Sequence, residues 1–219
     1  MDVQAQSLMH ALKAFSQRLL LHPWAKLWVG VLCALPGVYL VYGAFTESLG
    51  VNPAETLIRQ SGDLTIRALC YVLLVTPLKD LLKMPALLRH RRTLGLAVLA
   101  YAFLHLLCYA WLDMGLELDD IVQDIFKRPF IFVGMAGFVF LAALGATSFN
   151  AAIKAMGPKR WKTLHQAVYV VATLAVLHFY WMRAGKHRFE DVIFYGAILF
   201  LLLLYRMVQA LRHKMSRSA

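Results

Sequence analysis

Residues 161–181 read WKTLHQAVYVVATLAVLHFYW. The run is long enough to cross a bilayer as a helix, yet it carries His165 and His178. A histidine inside a membrane is costly, so its first reading is functional. A third, His105, lies in a second apolar run, YAFLHLLCYAW, at 101–111.

The rest of the chain has the composition these runs require. Of 219 residues, 60% are hydrophobic and 16% charged, with a mean hydropathy of +0.61. A soluble domain is nearer half apolar and a quarter charged. The apolar residues fall in blocks of about 20, and no alternating segments of about ten residues favour a β-barrel. An all-α, polytopic transmembrane bundle is predicted, with residues 1–219 as one domain. The net charge of +11 is no sign of nucleic acid here. Its cations cluster in short loops, where topology and lipid headgroups account for them. Cys33, Cys70 and Cys108 all lie in apolar runs without a CxxC or CxxCH spacing, so neither zinc nor covalent haem attachment is indicated.

Six spans are predicted, at about 24–45, 64–82, 93–112, 130–149, 163–182 and 192–211. The N-terminal 23 residues read as neither a span nor a removable signal. Lys13, Arg18 and Lys26 share one side with Lys79, Lys83, Arg89, Arg91 and Arg92, with Lys154, Lys159, Arg160 and Lys162, and with Arg206, Arg212, Lys214 and Arg217. The positive-inside rule makes that side, and both termini, cytoplasmic. The opposite side carries Glu47, Glu55 and Asp63, then Asp113, Glu117, Asp119, Asp120 and Asp124. In the last outer loop Arg183, Lys186 and Arg188 offset Glu190 and Asp191. Thr76-Pro77 is expected to bend or end the second span. Trp24, Trp28, Trp111, Trp161, Tyr180 and Trp181 lie near span ends, as interfacial aromatics do.

On this topology the third and fifth spans are parallel. His105 lies about 18 Å, and His178 about 22 Å, above the cytoplasmic ends of their spans. Two neutral imidazoles at matching depth suit a six-coordinate b-type haem, each offering its second N–H to a carbonyl or water. His165 is 13 residues before His178, so on an ideal helix the two rings point about 140° apart. Arg91 and Arg92 occupy the place in the third span where an inner histidine would complete a second pair. Arginine does not ligate iron, but it can hold a propionate, a flavin phosphate or a quinone oxygen. Arg67, one turn into the second span, snorkels to the interface or pairs with a propionate. The competing account of any of these histidines is a ring that hydrogen-bonds across helices and packs. His10, His22, His90, His187 and His213 read as interfacial or solvated.

The segments LLVTPLKDLLKMPALLRHRRTLGL (73–96), YAFLHLLCYAWLDMG (101–115), FKRPFIFVG (126–134), LGATSFNAAIKAMGPKRWKTLHQAVYV (144–170) and LHFYW (177–181) carry a resemblance. The combination RP…TS…W-x-x-LH…LH-x-x-W resembles the haem-binding membrane subunits of bacterial methionine sulfoxide reductase systems, within the ferric-reductase-like transmembrane superfamily. The resemblance implies a bacterial inner-membrane electron-transfer subunit rather than the catalytic one. Electrons would come from the quinone pool or a cytosolic flavin reductase and pass through b-type haem. FMN is implied as a further cofactor. The acceptor would be a periplasmic molybdenum-cofactor (molybdopterin) methionine sulfoxide reductase that repairs oxidised envelope proteins. The family's haem histidines map onto His105, His165 and His178. Related eukaryotic oxidases carry two histidines on each of two helices, and an arginine stands at one of those four places here. They also carry a cytoplasmic flavin and nicotinamide domain, and without one after Ala219 an external donor is expected. Two other functions are open at this stage: a ferric or cupric reductase-type cytochrome b, and a haem-free transporter or scaffold. The repeated halves and interrupted helices of many transporters are not seen.

Overall fold

The computed structural model describes residues 2–185 and 189–218, without the side chains of residues 2–6, 9, 10, 213, 217 and 218. The readings of Lys186, His187 and Arg188, and of the side chains of His10, His213 and Arg217, lie outside what is described. Among the described residues all regular structure is helical: α1 (Asp2–Leu21), α2 (Ala25–Phe45), α3 (Pro53–Leu82), α4 (Arg91–Cys108), α5 (Leu118–Lys127), α6 (Pro129–Ala146), α7 (Asn150–Met156), α8 (Pro158–His165), α9 (Val168–Ala184) and α10 (Glu190–Ser218). A 3₁₀ segment, Pro85–His90, leads into α4, and a π-helical turn, Tyr109–Asp113, follows it.

Among the described residues five stretches are long and apolar enough to cross a membrane: Ala25–Phe45, Pro85–Asp113, Pro129–Ala146, Pro158–Ala184 and Glu190–Ser216. The expected span at 64–82 lies within α3, which is not among them. That helix carries Glu55, Arg59, Asp63, Arg67, Lys79 and Asp80. Its middle is instead enclosed by protein: Ser61, Ile66, Ala68, Leu69, Cys70, Val72, Leu73 and Val75 are all buried. Around it stand α2, α4 and α10, while α6 pairs with α9 and also touches α4. The shared core includes Leu69, Leu73, Val98, Leu141, Val171, Ala172 and Leu199. The outer faces are apolar as well, with Trp28, Leu32, Phe103, Phe132 and Phe200 exposed. Large outward apolar surfaces of this kind need lipid rather than water.

Two prolines lie inside helices, and each is accommodated by a side chain from elsewhere. Pro77 neither ends α3 nor leaves its acceptor bare. Proline lacks the N–H that would pair with the carbonyl four residues back, here Leu73, and Arg206 Nη2 donates to that oxygen at 3.0 Å. In α2 the helix is opened after Pro36. Gly37 N–H donates to Tyr101 Oη at 3.2 Å, and the same hydroxyl donates to Cys33 O.

The fifth expected span is broken. Gln166 and Ala167 separate α8 from α9, and Gln166 N–H, Ala167 N–H and Tyr169 N–H bond three residues back, to Thr163 O, Leu164 O and Gln166 O. Such tightening turns the chain by more per residue than an α-helix does, so the 140° estimate for an ideal helix does not apply. Residues 2–21, read from the sequence as neither a span nor a removable signal, form α1. His90, expected to be interfacial or solvated, is buried where α1 packs on the 3₁₀ segment, with its Nε2 3.2 Å from Leu20 O. His22 is exposed, as expected.

Candidate functional site

His105 stands on the last turn of α4 and His178 in the second half of α9. Their ring centres are 6.2 Å apart with an interplanar angle of 80°. His105 Nδ1 lies 2.8 Å from Ile58 O, with Ser61 Oγ at 3.3 Å, and His178 Nδ1 lies 2.6 Å from Phe130 O. A carbonyl only accepts, so each Nδ1 is the protonated nitrogen and each Nε2 keeps the lone pair.

Both rings are pressed against helix backbone at a glycine. A Cβ on Gly62 of α3 would lie 3.2 Å from His105 Cε1, and one on Gly134 of α6 would lie 2.7 Å from His178 Nδ1. Four helices therefore fix the pair. A metal–imidazole bond is about 2 Å long, so two imidazoles on opposite sides of one metal place their ring centres about 6 Å apart. With that spacing, and with a carbonyl on each Nδ1, His105 and His178 would be the residues to hold such a metal through their Nε2 atoms. Among the described residues no cluster of three or more His, Cys, Asp or Glu side chains could hold a bare metal ion. A group that brings its own in-plane donors fits this pair, and a b-type haem is such a group.

His165, Arg91 and Arg92 are not at that pair. They line a second feature, a cavity of 930 Å³ whose walls also include Trp161, Tyr169 and Arg206. The His165 ring stacks on Trp161, with centres 4.0 Å apart and planes at 29°. Its Nε2 lies 3.2 Å from Thr147 Oγ1, and Trp161 Nε1 donates to Thr147 O at 2.8 Å. His165 therefore has a hydrogen-bond partner on the nitrogen that the outer pair keeps for a ligand. Arg92 donates to Asn150 Oδ1 at 2.7 Å. Arg67 belongs to neither group: its Nε donates to Tyr195 Oη at 2.9 Å, tying α3 to α10.

The comparisons with known proteins bear on this arrangement. Residues 61–176 match the model of the ferric reductase like transmembrane component. The protein-methionine-sulfoxide reductase heme-binding subunit MsrQ of Polaromonas naphthalenivorans (strain CJ2) is 54% identical over 198 residues, 90% of each chain. The chain belongs to the MsrQ family. The MsrQ of Herminiimonas arsenicoxydans is 43% identical over 84% of this chain and 85% of its own, and that of Caulobacter vibrioides 40% identical over 84% and 87%. No solved structure matches. The stretch shared with the ferric reductase like component contains His105, His165, Arg67, Arg91, Arg92 and both ring-facing glycines, and stops two residues before His178.

Three residues of this MsrQ-family site escape a reading of the sequence. Gly62 and Gly134 matter only because of rings some 44 residues away in the chain. Arg206 stands in sequence with the closing basic cluster, yet it points inward. It donates to Tyr169 Oη, Leu73 O and Thr76 Oγ1, its guanidinium lies over the Tyr169 ring at 5.6 Å, and its Nε is buried without a partner. The signal was an arginine inside an apolar run, which calls for a partner in the same way as an intramembrane histidine.

Proposed function

We propose that this chain is a single transmembrane electron-transfer domain of the bacterial inner membrane, with α3 as a sixth span and both termini cytoplasmic. It holds a b-type haem between His105 and His178 and passes electrons outward. The donor is quinol or a cytosolic flavin reductase. The acceptor is a periplasmic, molybdenum-dependent methionine sulfoxide reductase, so that the chain serves repair of oxidised periplasmic proteins without acting on methionine itself. The observation that carries the reading is the His105–His178 pair, at 6.2 Å with a carbonyl on each Nδ1.

The haem, when bound, supplies the one-electron redox change. What the chain's own residues do is geometric and electrostatic. His105 and His178 present neutral Nε2 lone pairs from two helices. Ile58 O and Phe130 O hold each ring's azimuth and raise its basicity as a ligand. The apolar packing of α3, α4, α6 and α9 keeps water from the pair. In the inner cavity Arg91, Arg92 and Arg206 favour a planar group with anionic arms, and Trp161 and Tyr169 offer flat faces to it. FMN or a second haem meets that description, with His165 at its edge.

Purified protein made with ample haem supply is expected to show a dithionite-reduced b-type α-band, lost or strongly weakened in His105→Ala and His178→Ala. A colourless protein under those conditions removes the proposal. The match to the ferric reductase like component supports a second reading, electron delivery to chelated iron or copper outside the membrane. Quinol-reduced protein offered both acceptors separates them. Rapid reoxidation by chelated iron, and none by the periplasmic reductase, selects the second.

A further inference from the structure

The helix α1 is built inside out for an aqueous tail. Leu8, Leu12, Phe15 and Leu19 follow one another at spacings of 4, 3 and 4 residues, which places them within an arc of about 60°. All four are 57–66% exposed. The opposite flank, which faces the body of the protein, is polar: Lys13, Ser16 and Gln17 are half-buried. Gln17 Nε2 donates to Lys83 O at 3.4 Å, and Arg89 Nη1 donates to Leu21 O. With His90 on Leu20 O, the C-terminal end of α1 is pinned along the loop between α3 and α4, its apolar stripe turned outward.

A helix that spends its polar side on protein and its apolar side on the exterior has chosen a non-aqueous exterior. The charge around it says which one. Arg18, Lys26 and Lys83 are exposed around the helix, with Arg89 half-buried at its end, and the exposed Trp24 and Trp28 mark the level at which interfacial aromatics sit. We infer that α1 is an in-plane anchor, lying in the headgroup boundary of the inner leaflet with Leu8, Leu12, Phe15 and Leu19 among the acyl chains and the cations on anionic lipid. The anchor has a structural use. Arg89, which it holds, and Lys26, which follows it, both line the basic cavity. Seating α1 in lipid therefore fixes one rim of that cavity against the membrane surface. The inference concerns lipid alone and stands whether or not either cofactor binds.

The test uses the full chain in nanodiscs of phosphatidylglycerol and phosphatidylcholine. An environment-sensitive fluorophore is placed through L12C, F15C, S16C or Q17C. The wild-type chain, whose Cys33, Cys70 and Cys108 are buried or half-buried, is the labelling blank. Labels at 12 and 15 should emit blue-shifted, be quenched by doxyl-labelled lipid and resist iodide, while labels at 16 and 17 escape the lipid quencher. Removing phosphatidylglycerol should lower lipid quenching at 15 at least twofold. Iodide quenching at 12 and 15 overturns the inference, because the stripe then faces water. Blue-shifted emission there that ignores doxyl lipid also overturns it, because a protein surface then covers the stripe. Indifference to phosphatidylglycerol removes the role of the cations.

Discussion

Arg206 donates to the carbonyl of Leu73 at 3.0 Å, the oxygen that Pro77 leaves without its helical donor. One side chain on α10 thus repairs a gap in the hydrogen bonding of α3, 133 residues away in sequence but adjacent in space. A buried carbonyl without a donor is costly, and a charged donor is worth about 2 kcal/mol. Arg206→Met should lower stability by about that much in thermal unfolding. In a Pro77→Ala background, where residue 77 regains its N–H, the same substitution should cost measurably less. Equal costs in the two backgrounds would show that the repair carries no weight.

Gly134 and His178 set a second expectation. A methyl group on Gly134 would meet His178 Nδ1 at 2.7 Å, whereas one on Gly62 would meet His105 Cε1 at 3.2 Å. Overpacking of this kind costs about 1–3 kcal/mol, and here it displaces the ring from Phe130 O. Gly134→Ala should retain less than half of the wild-type haem per protein, and Gly62→Ala more than Gly134→Ala. Haem stoichiometry by pyridine extraction is the measurement.

The segment between α4 and α6 has its own clasp. Asp124 of α5 accepts hydrogen bonds from Arg128 Nε at 2.5 Å, from Arg128 Nη2, and from Tyr109 Oη at 2.6 Å. Arg128 first, then Tyr109, holds the Asp124 carboxyl below the ordinary carboxylate range, against a smaller opposing effect of burial. A depressed folded-state pKa stabilises at every pH above the ordinary value of about 4 and loses that stabilisation as the pH falls below it. The clasp should therefore be insensitive between neutrality and about pH 5 and open at more acid pH. Asp124→Asn should open it at neutral pH, with amide exchange in α5 about tenfold faster. Exchange mass spectrometry of residues 114–128 reads both.

Inner and outer features should separate by mutation. His165→Ala and Arg91→Gln touch only the cavity, so the reduced α-band assigned to His105 and His178 should survive in both. Any flavin that co-purifies should fall at least fivefold, read by fluorescence after denaturation. Loss of the α-band in His165→Ala would instead place that residue among the ligands of the same haem.

The apolar runs and the matching depth of His105 and His178 were legible because they depend on hydrophobic length and on rise per residue, both local properties. The α3 segment was legible as a helix; it was also read as a span, but its charges keep it out of the five stretches apolar enough to cross, and one of them, Arg67, is partnered by Tyr195 from far along the chain. The break at Gln166–Ala167, the burial of His90 and the inward turn of Arg206 were not legible. The break rests on local hydrogen bonds with no proline or glycine to announce it, and the other two are decided by partners at a distance, the carbonyl of Leu20 and the carbonyl that Pro77 strands. The helix α1 was missed because its apolar pattern looks broken until one sees which side is outside.

The interruption after His165 gives the fifth span two separate rotors. The azimuth of His178 is set by α9 against Phe130 and Gly134, and that of His165 by α8 against Trp161 and Thr147. A substitution that twists α8 leaves the aim of α9 untouched. The two histidines can thus be tuned one at a time, as two bearings on one shaft could not.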